Sequence, residues 1–161
     1  MEIIELKNIL PEAFKHQDKI ESDVWHQSMN FHKKKVYLIK AVSGAGKSSL
    51  CGYLYGDRKD YQGIISFDGT NISSLNLKDW VNIRRNHLSL IFQDLKLFPE
   101  LTALENIQIK NNLTHHKKKK EIITWLERLG LKEHMDQLVG KLSFGQQQRV
   151  AFIRSLCQPF D

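Results

Sequence analysis

Ala41, Val42, Ser43, Gly44, Ala45, Gly46, Lys47, Ser48 and Ser49 form the run best suited to chemistry. Small residues give way to a lysine and two hydroxyls, between a short apolar stretch and a segment with helical spacing at Leu50 and Leu54. Successive N–H groups of a loop without bulky side chains make a concave nest for a di- or triphosphate. The following helix adds its unpaired first-turn N–H groups and its positive end. In such a nest Ser43, Gly44, Ala45, Gly46 and Ser49 supply the wall. Lys47 places a point charge on the outer phosphates, and the Ser48 hydroxyl ligates Mg²⁺. The expected ligand is ATP, held through residues 44–49. One position departs from the usual pattern: Ala41 stands where the first glycine belongs. A Cβ there costs on the order of 1 kcal/mol if φ is positive and nothing if it is negative. Lys40, at the end of an apolar run, is expected to snorkel past the sheet end.

The elements that must position this loop follow from periodicity. Residues 1–8 alternate as an edge strand does, residues 10–22 read as a polar loop, and residues 24–31 suit a second strand. Lys33, Lys34 and Lys35 read as a turn. Val36, Tyr37, Leu38 and Ile39 suit a strand buried on both faces, feeding the phosphate loop. Residues 63–67 predict a strand ending in the turn pair Asp68-Gly69, residues 79–85 a short helix, and residues 88–92 another buried strand. Thr102 and Glu105 form a capping box that opens a helix over 103–109. Ile122, Trp125, Leu126 and Leu129 lie on one stripe of a helix over 121–129, which Gly130 stops. Leu131, Met135 and Leu138 continue a second amphipathic set. Ser143 opens a last helix over 145–157, with Pro159 beyond it. Strands crowd the first 92 residues and helices the rest, which predicts an α/β nucleotide-binding core with a helical insert.

Composition narrows the class. The 161 residues suit one domain, with 41% hydrophobic and 26% charged residues. The net charge is +6, partly from Lys33–Lys35 and from Lys117–Lys120 preceded by His115 and His116. No aromatic residue interleaves these runs as a stacking platform requires, so no nucleic acid is expected, and the lysine runs and both histidines are read as solvated. Two cysteines without metal-ligand spacing exclude a disulfide scaffold and point to a reducing compartment; Cys51 and Cys157 are expected to be core thiols. The apolar stretches fall far short of the roughly 20 residues that span a bilayer, and no export signal is visible. The expectation is a soluble, intracellular chain.

Two further segments narrow the choice among phosphate-loop proteins. Leu142, Ser143, Phe144, Gly145, Gln146, Gln147, Gln148, Arg149, Val150 and Ala151 resemble the signature motif of ABC ATPases, Leu-Ser-Gly-Gly-Gln followed by Gln-Arg-Val-Ala. Leu90-Ile91-Phe92-Gln93-Asp94 and the run from Leu97 to Ile107 resemble that family's Q-loop and the entry into its helical subdomain. Lys47 and Gln93 are 46 residues apart, and Gln93 and Ser143 are 50 apart. The chain is identified as a member of the ABC transporter ATP-binding family. The resemblance implies a P-loop NTPase core with an N-terminal β subdomain and a helical insert. It implies a nucleotide-binding core over 1–93, a helical subdomain over 94–142 and a signature helix over 143–161.

The resemblance also assigns roles. Lys47 and Gln93 become the catalytic groups, with Ser48 and Gln93 on Mg²⁺. Phe14 stands roughly where the family stacks an aromatic ring on adenine. Ser143, Gly145 and Gln146 would face the γ-phosphate bound by a second protomer. Implied partners are a homodimer or paired ATP-binding subunit and a transmembrane permease subunit, at the cytoplasmic face of the membrane. Phe144 replaces a signature glycine, where a bulky ring either hinders closure or points away.

The family's Asp-Glu strand and switch histidine lie beyond the signature helix, and Asp161 is not preceded by the apolar run that would make it the Mg²⁺ aspartate. The chain is expected to lack the strands after that helix, leaving two neighbouring strands with unpaired edges and exposed apolar faces. It is expected to bind nucleotide and hydrolyse it little or not at all, because loss of the general base alone costs about 10²–10⁴-fold. The alternatives are a degenerate or regulatory nucleotide-binding module, and a DNA-repair ATPase, which the absence of sustained heptads disfavours.

Overall fold

The computed structural model describes residues 1–17 and 20–161; residues 18 and 19 of the expected polar loop lie outside it. The architecture is α/β. Contacts group the chain into two compact units, residues 1–82 with Asp161, and residues 83–160.

The first unit is built on a four-stranded sheet. Its strands are β1 (Ile3–Pro11), β2 (Ser28–His32), β3 (Tyr61–Phe67) and β4 (Thr70–Asn71), in the order β2-β1-β3-β4, every pairing antiparallel. The first strand is therefore internal and not the expected edge. It pairs with β2 through Ile4 and Phe31, and with β3 through Leu6 and Ile65. It runs on to Pro11, and a 3₁₀ turn over Glu12–Phe14 follows, where a loop was expected. Strand β2 begins only at Ser28; Val24 and Trp25 are buried in the turn before it. Helix α1 (Lys47–Tyr55) buries Leu50 and Tyr53, and the Tyr53 ring tilts against Tyr61 at 4.8 Å. Helix α2 (Leu77–Asn86) buries Trp80, whose ring meets Phe67 edge-on at 6.0 Å.

Two expected strands do not form. Residues 36–42 carry no regular structure; Val36 is 100% and Leu38 77% exposed. Among the described residues no strand pairs with this run, and a strand exists only through its neighbours' hydrogen bonds. Its groups take other partners: the His32 N–H donates to the Tyr37 hydroxyl at 2.9 Å, and the Tyr37 ring stands edge-on to Phe31 at 4.9 Å. Residues 88–92 are likewise irregular. There the Gln158 amide donates to the Leu88 carbonyl, and the Ser89 hydroxyl donates to the Ser155 carbonyl at 2.7 Å. Side chains replace the ladder.

The second unit is helical. Helix α3 (Ala103–Asn111) opens at the anticipated capping box. The Glu105 N–H donates to Thr102 Oγ1 at 3.2 Å, and the Thr102 N–H donates to Glu105 Oε2 at 2.8 Å. That backbone bond holds the Glu105 carboxyl below its usual range. Helix α4 (Lys119–Arg128) buries Ile122 and Leu126. Leu131, Met135 and Leu138 fall around two 3₁₀ turns, Lys132–His134 and Val139–Lys141, in place of a continuous amphipathic set. Helix α5 (Phe144–Ser155) closes the unit. Ala103, Ile107, Ile122, Leu126, Leu131, Val150, Ile153 and Cys157 form one core. Cys157 is thus the expected core thiol, and burial pushes its pKa up to about 12. Cys51 is not: it is exposed, because the buried face of α1 is taken by Leu50 and Tyr53.

Candidate functional site

The turn from residue 42 to α1 depends on two glycines. Gly44 has φ +82° and Gly46 φ +88°, a left-handed conformation that a Cβ disfavours. Gly46 is the N-cap of α1, and no side chain caps that end. The N–H groups of the first helical turn therefore have no intrahelical partner and point out of the N-terminus. Gly44 has open space where a Cβ would stand, so its main chain is approachable.

Ala41 is not among the residues with positive φ, so its Cβ sits without strain, and the first-glycine position imposes no cost here. Lys40 is exposed, but residues 36–42 form no strand, so there is no sheet end for it to snorkel past. Lys47 is exposed as well. Its ammonium donates to the carbonyls of Ala41 at 2.6 Å and Val42 at 2.8 Å, folding over the loop it follows. Ser43 and Ser48 are exposed and Ser49 is half-buried; the Arg58 guanidinium donates to Ser49 Oγ at 2.8 Å.

These residues border a cleft of about 520 Å³, lined among others by Phe14, Trp25, Ser43, Gly44, Ala45 and Lys47. That is the size of a small-molecule site. Phe14, half-buried, reaches the cleft but engages Trp25 edge-on at 6.3 Å. Trp25 was not singled out from the sequence. It is only 5% exposed, and its Nε1–H donates to the Ala45 carbonyl at 3.0 Å. A buried tryptophan usually finds such an acceptor, but nothing local named which one.

Among the described residues, no three His, Cys, Asp or Glu side chains converge as a metal site. Ser43, Ser48 and Ser49 each offer a hydroxyl, a hard-oxygen donor of the kind Mg²⁺ takes, and that of Ser49 accepts from Arg58. Asp161 pairs with the amino terminus and with Lys33, the latter at 3.0 Å.

The second unit holds the remaining candidates. Gln93 is exposed in an irregular segment. Just beyond it, Leu95 and Lys96 have φ of 57° and 46°. Arg154 of α5 donates to both their carbonyls, to Lys96 at 2.6 Å, and burial lowers its pKa. Ser143 caps α5: the Gln146 N–H donates to Ser143 Oγ at 3.3 Å, and the Ser143 N–H donates to Gln146 Oε1 at 2.8 Å. The Ser143 oxygen accepts in this box, which leaves its O–H as a donor at the exposed helix end. At Gly145 a Cβ would meet Arg149 Nη1 at 3.9 Å, an ordinary contact, and Phe144 is 62% exposed at the start of the helix.

Two glutamines and an asparagine in this unit make contacts that the sequence does not indicate, although Gln147 and Asn106 lie in the quoted motifs. Gln147 donates to the Val139 and Leu142 carbonyls, both at 3.1 Å, fixing the turn before α5. Gln158 is buried and holds the Arg84 carbonyl at 3.1 Å. Asn106 is wholly buried; it accepts from the Phe98 N–H at 2.8 Å and donates to the carbonyls of Phe98 and Thr102.

Comparison with known proteins agrees with the motifs. The family model described as "ABC transporter" matches residues 25–160. The ABC transporter ATP-binding protein YtrE of Bacillus subtilis is 33% identical over 132 residues, covering 80% of this chain. This chain spans 57% of the length of that relative. The dimeric structure of MJ0796, a bacterial ABC transporter cassette, superposes with a TM-score of 0.71 at 26% identity, covering 96% of this chain and 69% of that one. The same cassette in a post-hydrolysis state bound to ADP and Pi gives a TM-score of 0.68 at 25% identity, with the same coverages. No helix among the described residues is long and apolar enough to cross a membrane. With a left-handed glycine turn opening α1, a capped serine opening α5 and a family match over both, the chain belongs to the ABC transporter family.

Proposed function

We propose that this chain is the nucleotide-binding part of the ATP-binding subunit of a membrane transporter, in which ATP-driven pairing of two such subunits is coupled to a separate transmembrane permease subunit. The observation that carries this is the cleft beside residues 43–49, where approachable main chain, an uncapped helix end and Lys47 converge. When bound, ATP supplies the polyphosphate charge and Mg²⁺ the counter-charge. Residues 43–46 and the first turn of α1 cradle the phosphates through N–H groups. Lys47 exchanges its two loop carbonyls for phosphate oxygens, and the Ser48 hydroxyl holds the ion. Gln93 serves the ion or the attacking water. Phe14 borders the cleft on the side of the base. Ser143, Gly145 and Gln146 meet the nucleotide of a paired subunit through the exposed, capped start of α5. The placement is peripheral, at the cytoplasmic face of a membrane.

Turnover by this polypeptide is proposed to be small or absent. Lys47, Ser48 and Gln93 supply positioning and charge, whereas deprotonating the attacking water calls for a carboxylate base, and Asp161 is engaged with the amino terminus and Lys33. A second reading, a regulatory nucleotide-binding module, is favoured by Phe144 at the position where main chain would approach phosphate.

Calorimetric titration with Mg²⁺–ATP tests the proposal. The unaltered chain binds, and Lys47→Ala loses about 10–100-fold in affinity, the worth of a hydrogen bond from a charged donor. Absence of binding by the unaltered chain overturns the nucleotide site. Steady phosphate release that Lys47→Ala abolishes overturns the low-turnover part.

A further inference from the structure

The cradle's curvature comes from Gly44 and Gly46, and the residue between them has its own support. Ala45 presents its carbonyl to Trp25 Nε1 at 3.0 Å. The same indole lies directly against Gly46: a Cβ built there would come within 2.8 Å of Trp25 Cζ2 and 3.2 Å of Phe14 Cε2. Trp25 therefore acts on the loop in two ways. Its N–H fixes the direction of the peptide plane after Ala45, and its ring sets how close the chain at Gly46 can come. Fixing the carbonyl of a peptide fixes its N–H as well, because the two are antiparallel across a planar trans bond. The Ala45 carbonyl turned toward Trp25 sends the N–H of Gly46 the opposite way.

We infer that Trp25 is a positioning residue for the phosphate site: it orients the peptide between Ala45 and Gly46 so that the main-chain donors there face polyphosphate, and it does so without touching the base. This rests on the nucleotide-site reading above. The indole is 5% exposed and its N–H is already committed to the Ala45 carbonyl, so its donor is not offered to an adenine ring. The ligand class it serves is the triphosphate, with or without a nucleoside attached.

The test uses the full 161-residue chain and two probes, Mg²⁺–ATP and inorganic tripolyphosphate, titrated well below the melting temperature so that global stability does not enter. Trp25→Phe keeps a ring against Gly46 and removes the N–H. The expected result is a loss of about 3–10-fold in affinity, the worth of one neutral hydrogen bond, equal for both probes. Undiminished affinity in a chain that binds overturns the inference and leaves the nucleotide site standing. A loss confined to ATP overturns it too, because the indole would then be reading the base. Failure of the unaltered chain to bind either probe overturns the nucleotide site and this inference with it. Should Trp25→Phe not fold by circular dichroism, the indole N–H resonances of the unaltered chain decide. The Trp25 signal shifts on saturation with tripolyphosphate while that of Trp125 does not; a Trp25 signal that stays in place at saturation overturns the proposal.

Discussion

Two stretches of similar apolar character meet opposite fates. Between residues 103 and 157, Ile107, Ile122, Leu126, Leu131, Val150 and Ile153 are enclosed in one core; between residues 36 and 42, Val36, Leu38 and Val42 stand in solvent, Val36 wholly exposed. The difference lies in what each needs from the rest of the chain. A helix satisfies its own backbone, and α3 and α5 each open on a polar residue that closes the first turn within three positions. A buried strand satisfies nothing by itself, since every N–H and C=O must be met from a neighbour. The run before the phosphate loop is hydrophobic enough for a core, but hydrophobicity alone does not pair its backbone.

That contrast can be broken by substitution, beginning with the largest expected effect. Leu126→Ala, at a fully enclosed position of α4, is expected to destabilise by about 2–5 kcal/mol. Urea unfolding followed by circular dichroism reads this as a fall in the midpoint; a change below about 0.5 kcal/mol would mean that the helical unit has no cooperative core. Ser143→Ala removes the acceptor that caps α5 and is expected to cost about 1 kcal/mol. Ser143→Asp should restore most of that, because the carboxylate accepts the same N–H and favours the positive helix end; lack of rescue would show that the capping box contributes little. Leu38→Ser is the smallest. Leu38 is 77% exposed, so stability is expected to change by no more than about 0.5 kcal/mol, while solubility rises as an exposed apolar residue is removed. A loss comparable to that of Leu126→Ala would show that residues 36–42 are packed in solution.

The same contrast explains how much could be read beforehand. Both helix starts at Thr102 and Ser143 were legible because their signals lie within three residues. The turn at Asp68-Gly69 and the glycines of the phosphate loop were legible because backbone conformation there is a property of residue type. The position of β1 inside its sheet was not, since alternation shows that a strand exists but not which strands flank it. Cys51 and Cys157 looked alike in sequence, and only the burial of Leu50 and Tyr53 on the other face of α1 leaves Cys51 to water.

In each unit, the family pattern named residues by position but not their supports. Trp25, Asn106, Gln147 and Arg154 act on main-chain carbonyls. Such contacts impose no spacing rule on the residue that donates. The partners of Trp25 and Arg154 lie 20 and 58 residues away, and even the nearer carbonyls met by Asn106 and Gln147 are set by the turn of the chain and not by residue type.

One contact made by Lys47 carries a lesson about tolerance. Its ammonium rests on oxygens contributed by the peptide groups of residues 41 and 42, atoms every amino acid possesses. The loop thus carries a built-in stand-in for an anion, indifferent to which side chains decorate that stretch. Replacing the customary glycine by alanine leaves this resting pose intact, and an incoming ligand competes against the protein's own amide oxygens, not against bulk water.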